Sequence, residues 1–357
     1  MIALVACGAC VLAAGVVALS ADAAGYSRST GSASGSAGSA VGPAMAPGSG
    51  GGAETAGLSS PRAIDPGLFS SSACMAFPPT GGDRHETVFL DAGHGGIDPG
   101  GVGTTQAGAS VSESMVNLDI ELDAMGVLRA QGYRVVVSRT RNTTVTKLTP
   151  GDTDGGLLTS QGVRGDVAAR DVCANMAGAT VLVGIYMDSG SPWNAGCVTG
   201  YDQDRPFAAD NQRLANLLQS DVLDAMNAHG WDIPNEGVQP DTQLGSATDA
   251  AAESYDHLML LGPSKAGYFA TPSQMPGALI EPLFLTDPFE ASIAASTHGQ
   301  QVIASALAKA IKRYLPLCDS NAQSGVPRRA RLRNRARGPL PARGRLRSVF
   351  PGQRLVH

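Results

Sequence analysis

Much of this sequence lacks what a folded domain needs. Residues 24 to about 82 carry few large apolar side chains and are dominated by Gly, Ser, Ala and Pro. Such a stretch cannot bury enough surface to offset its chain entropy, so 24–82 is expected to be a flexible linker. Residues 2–19 lack charge altogether and run into the small-residue pattern Ala21-Asp22-Ala23. That excludes a water-facing role and marks 1–23 as a signal peptide or an N-terminal membrane anchor. The basic residues that usually open a signal peptide are missing, which leaves cleavage and anchoring both open. Residues 327–357 contain ten arginines but no lysine and no acid, and 319–357 reads as an Arg-rich disordered tail. No internal repeat and no wall-binding repeat is present.

Without that tail the chain is acidic: through Cys318 there are 16 Lys and Arg against 30 Asp and Glu, a net charge of −14. A body of that sign excludes a nucleic-acid enzyme, and the tail lacks the interleaved aromatics of a nucleic-acid binder. Beyond the export segment, with its Cys7 and Cys10, no Cys-x-x-Cys zinc pattern exists. The remaining Cys74, Cys173, Cys197 and Cys318 permit two disulfides in three pairings, or free buried thiols. Cys74 and Cys318 flank the folded region, so a bridge between them would tie its ends together.

What is present is an α/β pattern over 83–318. Residues 87–91 read as a buried strand, and Glu113 to about Ala130 as a helix with Leu118, Leu122, Met125 and Leu128 on one face. Strands are expected at 133–138, 180–187, 258–262 and 278–284, and helices at about 163–177, 210–229 and 289–314. The alternation implies a single domain with a largely parallel twisted sheet covered by helices on both faces. Active sites in such sheets lie beyond the carboxyl ends of the strands. His94, the residues after Val183, and Glu281 all fall there.

Asp91-Ala-Gly-His-Gly-Gly-Ile-Asp-Pro-Gly100 delivers His94 from a strand into a glycine-rich turn, where small neighbours leave room for a metal or substrate. Glu113 opens a helix that also carries Asn117, and Pro276-Gly-Ala-Leu-Ile-Glu-Pro-Leu-Phe-Leu-Thr-Asp-Pro288 carries Glu281 out of an apolar run. Together with Arg170-Asp-Val-Cys-Ala-Asn175, these separated motifs resemble the zinc-dependent N-acetylmuramoyl-L-alanine amidases of the amidase type 3 family over about 87–315. The resemblance implies an exported, secreted or wall-associated hydrolase with peptidoglycan as its partner, expected to be a monomer. It would cleave the amide between the lactyl group of N-acetylmuramic acid and L-alanine. It also implies Zn2+ held by His94 and Glu113, with Glu281 as the catalytic base.

The family's third ligand is a histidine, and here Gly184-Ile-Tyr-Met-Asp-Ser189 places Tyr186 at that position. A neutral phenol is a poor zinc ligand unless the metal drives its deprotonation. Three outcomes stay open: Tyr186 binds as phenolate, Asp188 on the same strand face coordinates instead, or tight metal binding is lost. In the last case the chain would be a catalytically impaired amidase-fold protein that binds peptidoglycan. A related zinc exopeptidase is disfavoured, because those enzymes use more His and Asp ligands.

Each residue also has a plainer explanation. His94 as a loop residue and Glu113 as a first-turn carboxylate are both outweighed by the company of the other motifs. Asn117 and Arg170 read as structural, bonding loop backbone, and Asp98 as shaping the turn. His85, His229, His257 and His298 read as surface residues, with His257 able to complete the metal site if the fold brings it near.

Overall fold

The computed structural model describes residues 60–244 and 255–323. The expected leader, most of the expected linker, and the tail beyond 323 lie outside the described residues. Among the described residues no helix is long and apolar enough to cross a membrane.

The elements run β1 (Arg62–Ala63), β2 (Ala73–Phe77), β3 (Thr87–Ala92), β4 (Val102–Thr104), β5 (Ser110–Ser112), α1 (Glu113–Ala130), β6 (Arg134–Arg139), β7 (Thr153–Asp154) and β8 (Leu157–Leu158). There follow α2 (Ser160–Ala177), β9 (Val181–Ile185), β10 (Cys197–Tyr201), α3 (Ala208–Ala228), β11 (Asn235–Pro240), β12 (Gly277–Glu281), α4 (Pro288–Ala294) and α5 (Thr297–Gln323). Eight strands form one sheet in the order β1-β2-β6-β3-β9-β12-β10-β11. The four central strands, β6, β3, β9 and β12, are mutually parallel. At the flanks β2 runs antiparallel to β6 and β10 antiparallel to β12, while β11 is parallel to β10. The expected α/β domain is therefore present, with a parallel centre and mixed edges.

Strand alternation assigns the two faces. Val88, Leu90, Val135, Val137, Val181, Val183 and Ile280 point toward α1, α3 and α5, whereas Phe89, Val136, Leu182 and Leu279 pack with Cys173 and Ala174 of α2. Helix α2 starts at Thr159, whose hydroxyl accepts the Gly162 N–H, and stops at Gly178, which adopts the left-handed conformation.

Five expectations are corrected. Residues 60–82 are folded rather than linker: Ala73, Cys74 and Ala76 are buried, and β2 pairs with β6. Its small residues suffice because the strand is held by ladder hydrogen bonds and by a disulfide between Cys74 and Cys173. That bridge replaces the one weighed between Cys74 and Cys318, and Cys197 is a free, buried thiol. Residues 258–262 form turns, with Leu261 and Gly262 N–H both bonding Leu258 O; an apolar run reports burial without reporting a strand period. The helix expected over 289–314 is two helices, because the Ser296 hydroxyl accepts the Gly299 N–H and caps a new start. Helix α5 then continues to Gln323, past the expected boundary at 318.

Candidate active site

The carboxyl ends of β3, β9 and β12 converge on a cavity of about 460 Å³ lined by His94, Glu113, Tyr186, Asp188 and Glu281. Leu158 reaches it from the β7–β8 hairpin, and Leu258, Met259 and Leu260 form another wall.

His94 takes a positive φ of 60°, a strained conformation for a residue with a Cβ. Two buried arginines hold the backbone there. Arg170 donates to Asp91 Oδ1 (2.6 Å), Ala92 O (2.7 Å), His94 O (2.8 Å) and Asp166 Oδ2 (2.8 Å). From the other side of β3, Arg139 donates to Ala92 O, Gly93 O and Ser114 O. The structural role expected for Arg170 is thus the role it has, and Arg139 and Asp91 join it without having been singled out. Asp91 had a signal: a carboxylate inside an apolar strand needs a buried partner. The turn itself requires Gly93, where a Cβ would come within 2.3 Å of the Tyr186 ring, and Gly100, where it would meet Glu113 at 2.6 Å.

The His94 side chain is buried. Its Nδ1 lies 2.8 Å from Asp98 Oδ2 and its Nε2 lies 3.2 Å from Glu113 Oε1. Nε2 nonetheless makes no hydrogen bond at that distance. An Nδ1–H donated to Asp98 directs Nε2 into the site, so a metal that displaces the Nε2 proton would meet the lone pair of the tautomer a metal-binding imidazole needs. Asp98 also accepts the Gly100 N–H, so it shapes the turn as expected and orients the ring besides. Burial alone would raise the Asp98 pKa, but His94 and the Gly100 N–H outweigh it and hold the carboxyl low. Glu113 is fixed by the Gly101 and Met187 N–H groups and by Asn117 Nδ2; Asn117 thereby orients a ligand candidate.

The remaining groups show a surplus of negative charge. Burial, then Asp188 and Glu113, push the Glu281 carboxyl up to about 8. Burial pushes Asp188 up to about 6, helped by Glu113 and Glu236. His94 is raised to about 10: burial opposes its charged form, but Glu113 and Asp98 prevail. Acids that repel one another around an unpartnered imidazole nitrogen form a donor set suited to a cation.

Tyr186 stands in the cavity wall with its ring edge-on to His94. Its hydroxyl donates to Asp91 Oδ2 at 3.1 Å, and burial followed by Asp91 pushes the phenol well above its ordinary pKa. His257 is not among the residues that line this cavity. It lies with Asp202 and Asp241, the one triad of donors among the described residues whose ligand atoms all fall within 4.8 Å of one another. His94 and Glu113 form a close pair, and Asp188 and Glu281 line the same cavity.

Comparisons with known proteins fit this geometry. The Amidase_3 family profile, described as N-acetylmuramoyl-L-alanine amidase, matches residues 88–313. The chain is 25% identical over 229 residues to the germination-specific N-acetylmuramoyl-L-alanine amidase of Bacillus subtilis, covering 64% of this chain and 78% of that protein. It is 26% identical over 230 residues to the uncharacterized protein YqiI of the same organism, covering 64% and 84%. In fold it is similar to the CwlD amidase of Clostridioides difficile, solved in complex with the GerS lipoprotein, with a TM-score of 0.50 and 23% identity over 65% of this chain and 99% of that one.

Proposed function

Because the chain belongs to the Amidase_3 family of N-acetylmuramoyl-L-alanine amidases, we propose that it is an exported, zinc-dependent peptidoglycan hydrolase acting at the cavity beyond β3, β9 and β12. The bond cut is the amide between the lactyl group of N-acetylmuramic acid and L-alanine. The observation that carries this reading is the unpartnered Nε2 of His94, facing Glu113 in a cavity that also holds Glu281.

His94 Nε2, Glu113 and Asp188 are the residues that would hold zinc. When bound there, zinc would acidify a water molecule and polarise the scissile carbonyl. Asp188 suits the third place better than Tyr186, whose hydroxyl is occupied by Asp91 and kept protonated by it. Glu281 is the general base: a carboxylate at the end of β12 takes a proton from the attacking water and returns it to the leaving amine. Its raised pKa suits both halves of that task near neutral pH. Asp98 holds the His94 ring in the coordinating tautomer, and Arg170 and Arg139 hold the loop backbone that aims it.

The test is release of free stem peptides from isolated peptidoglycan by the zinc-loaded full chain. Glu281→Ala is expected to lower the rate about 10²–10⁴-fold with zinc retained. Asp188→Asn is expected to lower zinc content, while Tyr186→Phe leaves it unchanged. Loss of zinc from Tyr186→Phe alone would instead make the phenolate the third ligand. Tyr186 also favours a second reading, a protein that binds peptidoglycan without cutting it. Binding by the zinc-loaded chain with no peptide released would establish that one.

A further inference from the structure

Asp202 follows β10 directly and Asp241 follows β11 directly, so two neighbouring parallel strands aim carboxylates out of the same end of the sheet. His257 meets them. Its Nδ1 lies 3.0 Å from Asp202 Oδ2 and 3.3 Å from Asp241 Oδ2, with Asp204 Oδ2 at 3.9 Å from Nε2. Both aspartate side chains are fully buried, and His257 is largely so. Asp202 Oδ2 and Asp241 Oδ1 have no hydrogen-bond partner. Arg205 makes no ion pair with them; its guanidinium donates to the carbonyls of Leu261, Gly262 and Ser273.

The charges do not balance within the cluster. Two buried carboxylates face a single imidazole, so even a protonated ring leaves one negative charge, and unpartnered buried oxygens are costly. A divalent cation with a neutral ring closes the balance. The spacing suits one: ligand atoms about 2.0–2.2 Å from a tetrahedral zinc stand roughly 3.3 Å apart, close to the two separations seen here. One nitrogen with two carboxylate oxygens favours zinc or a similar first-row metal over calcium or magnesium.

We propose that Asp202, Asp241 and His257 form a second, structural metal site of the zinc class, distinct from the His94 cavity, that fixes the 257–260 wall of that cavity. Asp241 Oδ2 also accepts the Leu258 N–H at 3.1 Å. Leu258, Met259 and Leu260 line the cavity, so an ion held by the strand ends would set the position of that wall. The site is structural because both aspartates are buried, the His257 side chain is only 14% exposed, and none of the three lines the cavity.

The experiment uses the full chain, stripped with a chelator, titrated with zinc chloride, and assayed for zinc per chain by mass spectrometry. Wild type is expected to hold about one zinc equivalent more than His257→Ala or Asp202→Asn. Glu113→Gln, which perturbs the His94 site, is expected to keep the His257-dependent equivalent, so failure of the His94 site would leave this result readable. Asp202→Asn, which preserves shape, carries the comparison if His257→Ala fails to fold. Hydrogen exchange of residues 255–262 is expected to slow on zinc addition in wild type and Glu113→Gln but not in Asp202→Asn. Equal zinc content in wild type, His257→Ala and Asp202→Asn overturns the site. Zinc binding that depends on His257 but leaves exchange of 255–262 unchanged overturns its role in fixing the wall.

Discussion

The two faces of the sheet solve the same burial problem by different means. One face is covered by α1, α3 and α5, with a continuous aliphatic cluster running from Val88 through Ile311. The other has α2 and the turns around Leu260, and it carries the disulfide together with the buried group of Arg170, Asp91, Asp166 and Tyr186. Apolar burial is non-directional and tolerates small shifts, whereas charged hydrogen bonds fix orientation. The difference teaches where precision is needed: the cavity opens on the second face, and its loop is held by directional contacts.

The largest expected effect tests that claim at Arg170. Arg170→Met removes the partner of a fully buried Asp91 and is expected to cost about 3–5 kcal/mol of stability, read by urea denaturation. It should also lower zinc affinity, because the His94 carbonyl loses its donor. Lost stability with unchanged zinc affinity would separate the charge network from the site. Next comes the covalent pin. Replacing Cys74 and Cys173 together by serine is expected to cost about 2–4 kcal/mol, and a smaller loss would mean that the single-helix face is held by its packing alone.

The smallest effect concerns Glu121, which brings a carboxyl into the aliphatic face. Its Oε1 accepts from Ala92 N, Ser138 N and Ser138 Oγ, while Oε2 has no partner. Burial raises its pKa from 4.5 to about 8, with Arg139 opposing. The folded chain therefore holds this proton more tightly than the unfolded chain does, so stability falls as pH rises from about 4.5 to about 8. Glu121→Gln should flatten that slope, as measured by denaturation midpoints across the same window. An unchanged slope would mean that the carboxyl is ionised in the folded state and paired with Arg139.

How much of this was legible in the sequence depended on whether a signal was local. Helix α1 was, because its boundaries follow from Glu113 in the first turn and Gly132 after the last, and β3 and β9 were, as apolar runs of strand length. Strand ends in the sequence placed His94, the residues after Val183 and Glu281 near one another, and they line one cavity with Glu113, but the hydroxyl contact of Tyr186 with Asp91 was not legible. Strands β10 and β11, Cys197–Tyr201 and Asn235–Pro240, carry weak patterns and exist through pairing with neighbours. Cysteine partners are set by tertiary approach, as with Cys74 and Cys173, 99 residues apart. The grouping of Asp202, Asp241 and His257 is equally non-local, since it comes from strand order rather than spacing.

The bridge at Cys74 has a mechanical consequence. A pull on the chain ahead of Ser60 would enter the sheet through β1 and then reach Cys74, the second residue of β2. There the sulfur link diverts the load into α2 at Cys173, so Met75–Phe77 and the hydrogen bonds they make to β6 are spared. Tension from that side would reach the helix that carries Arg170 before it could peel the edge of the sheet.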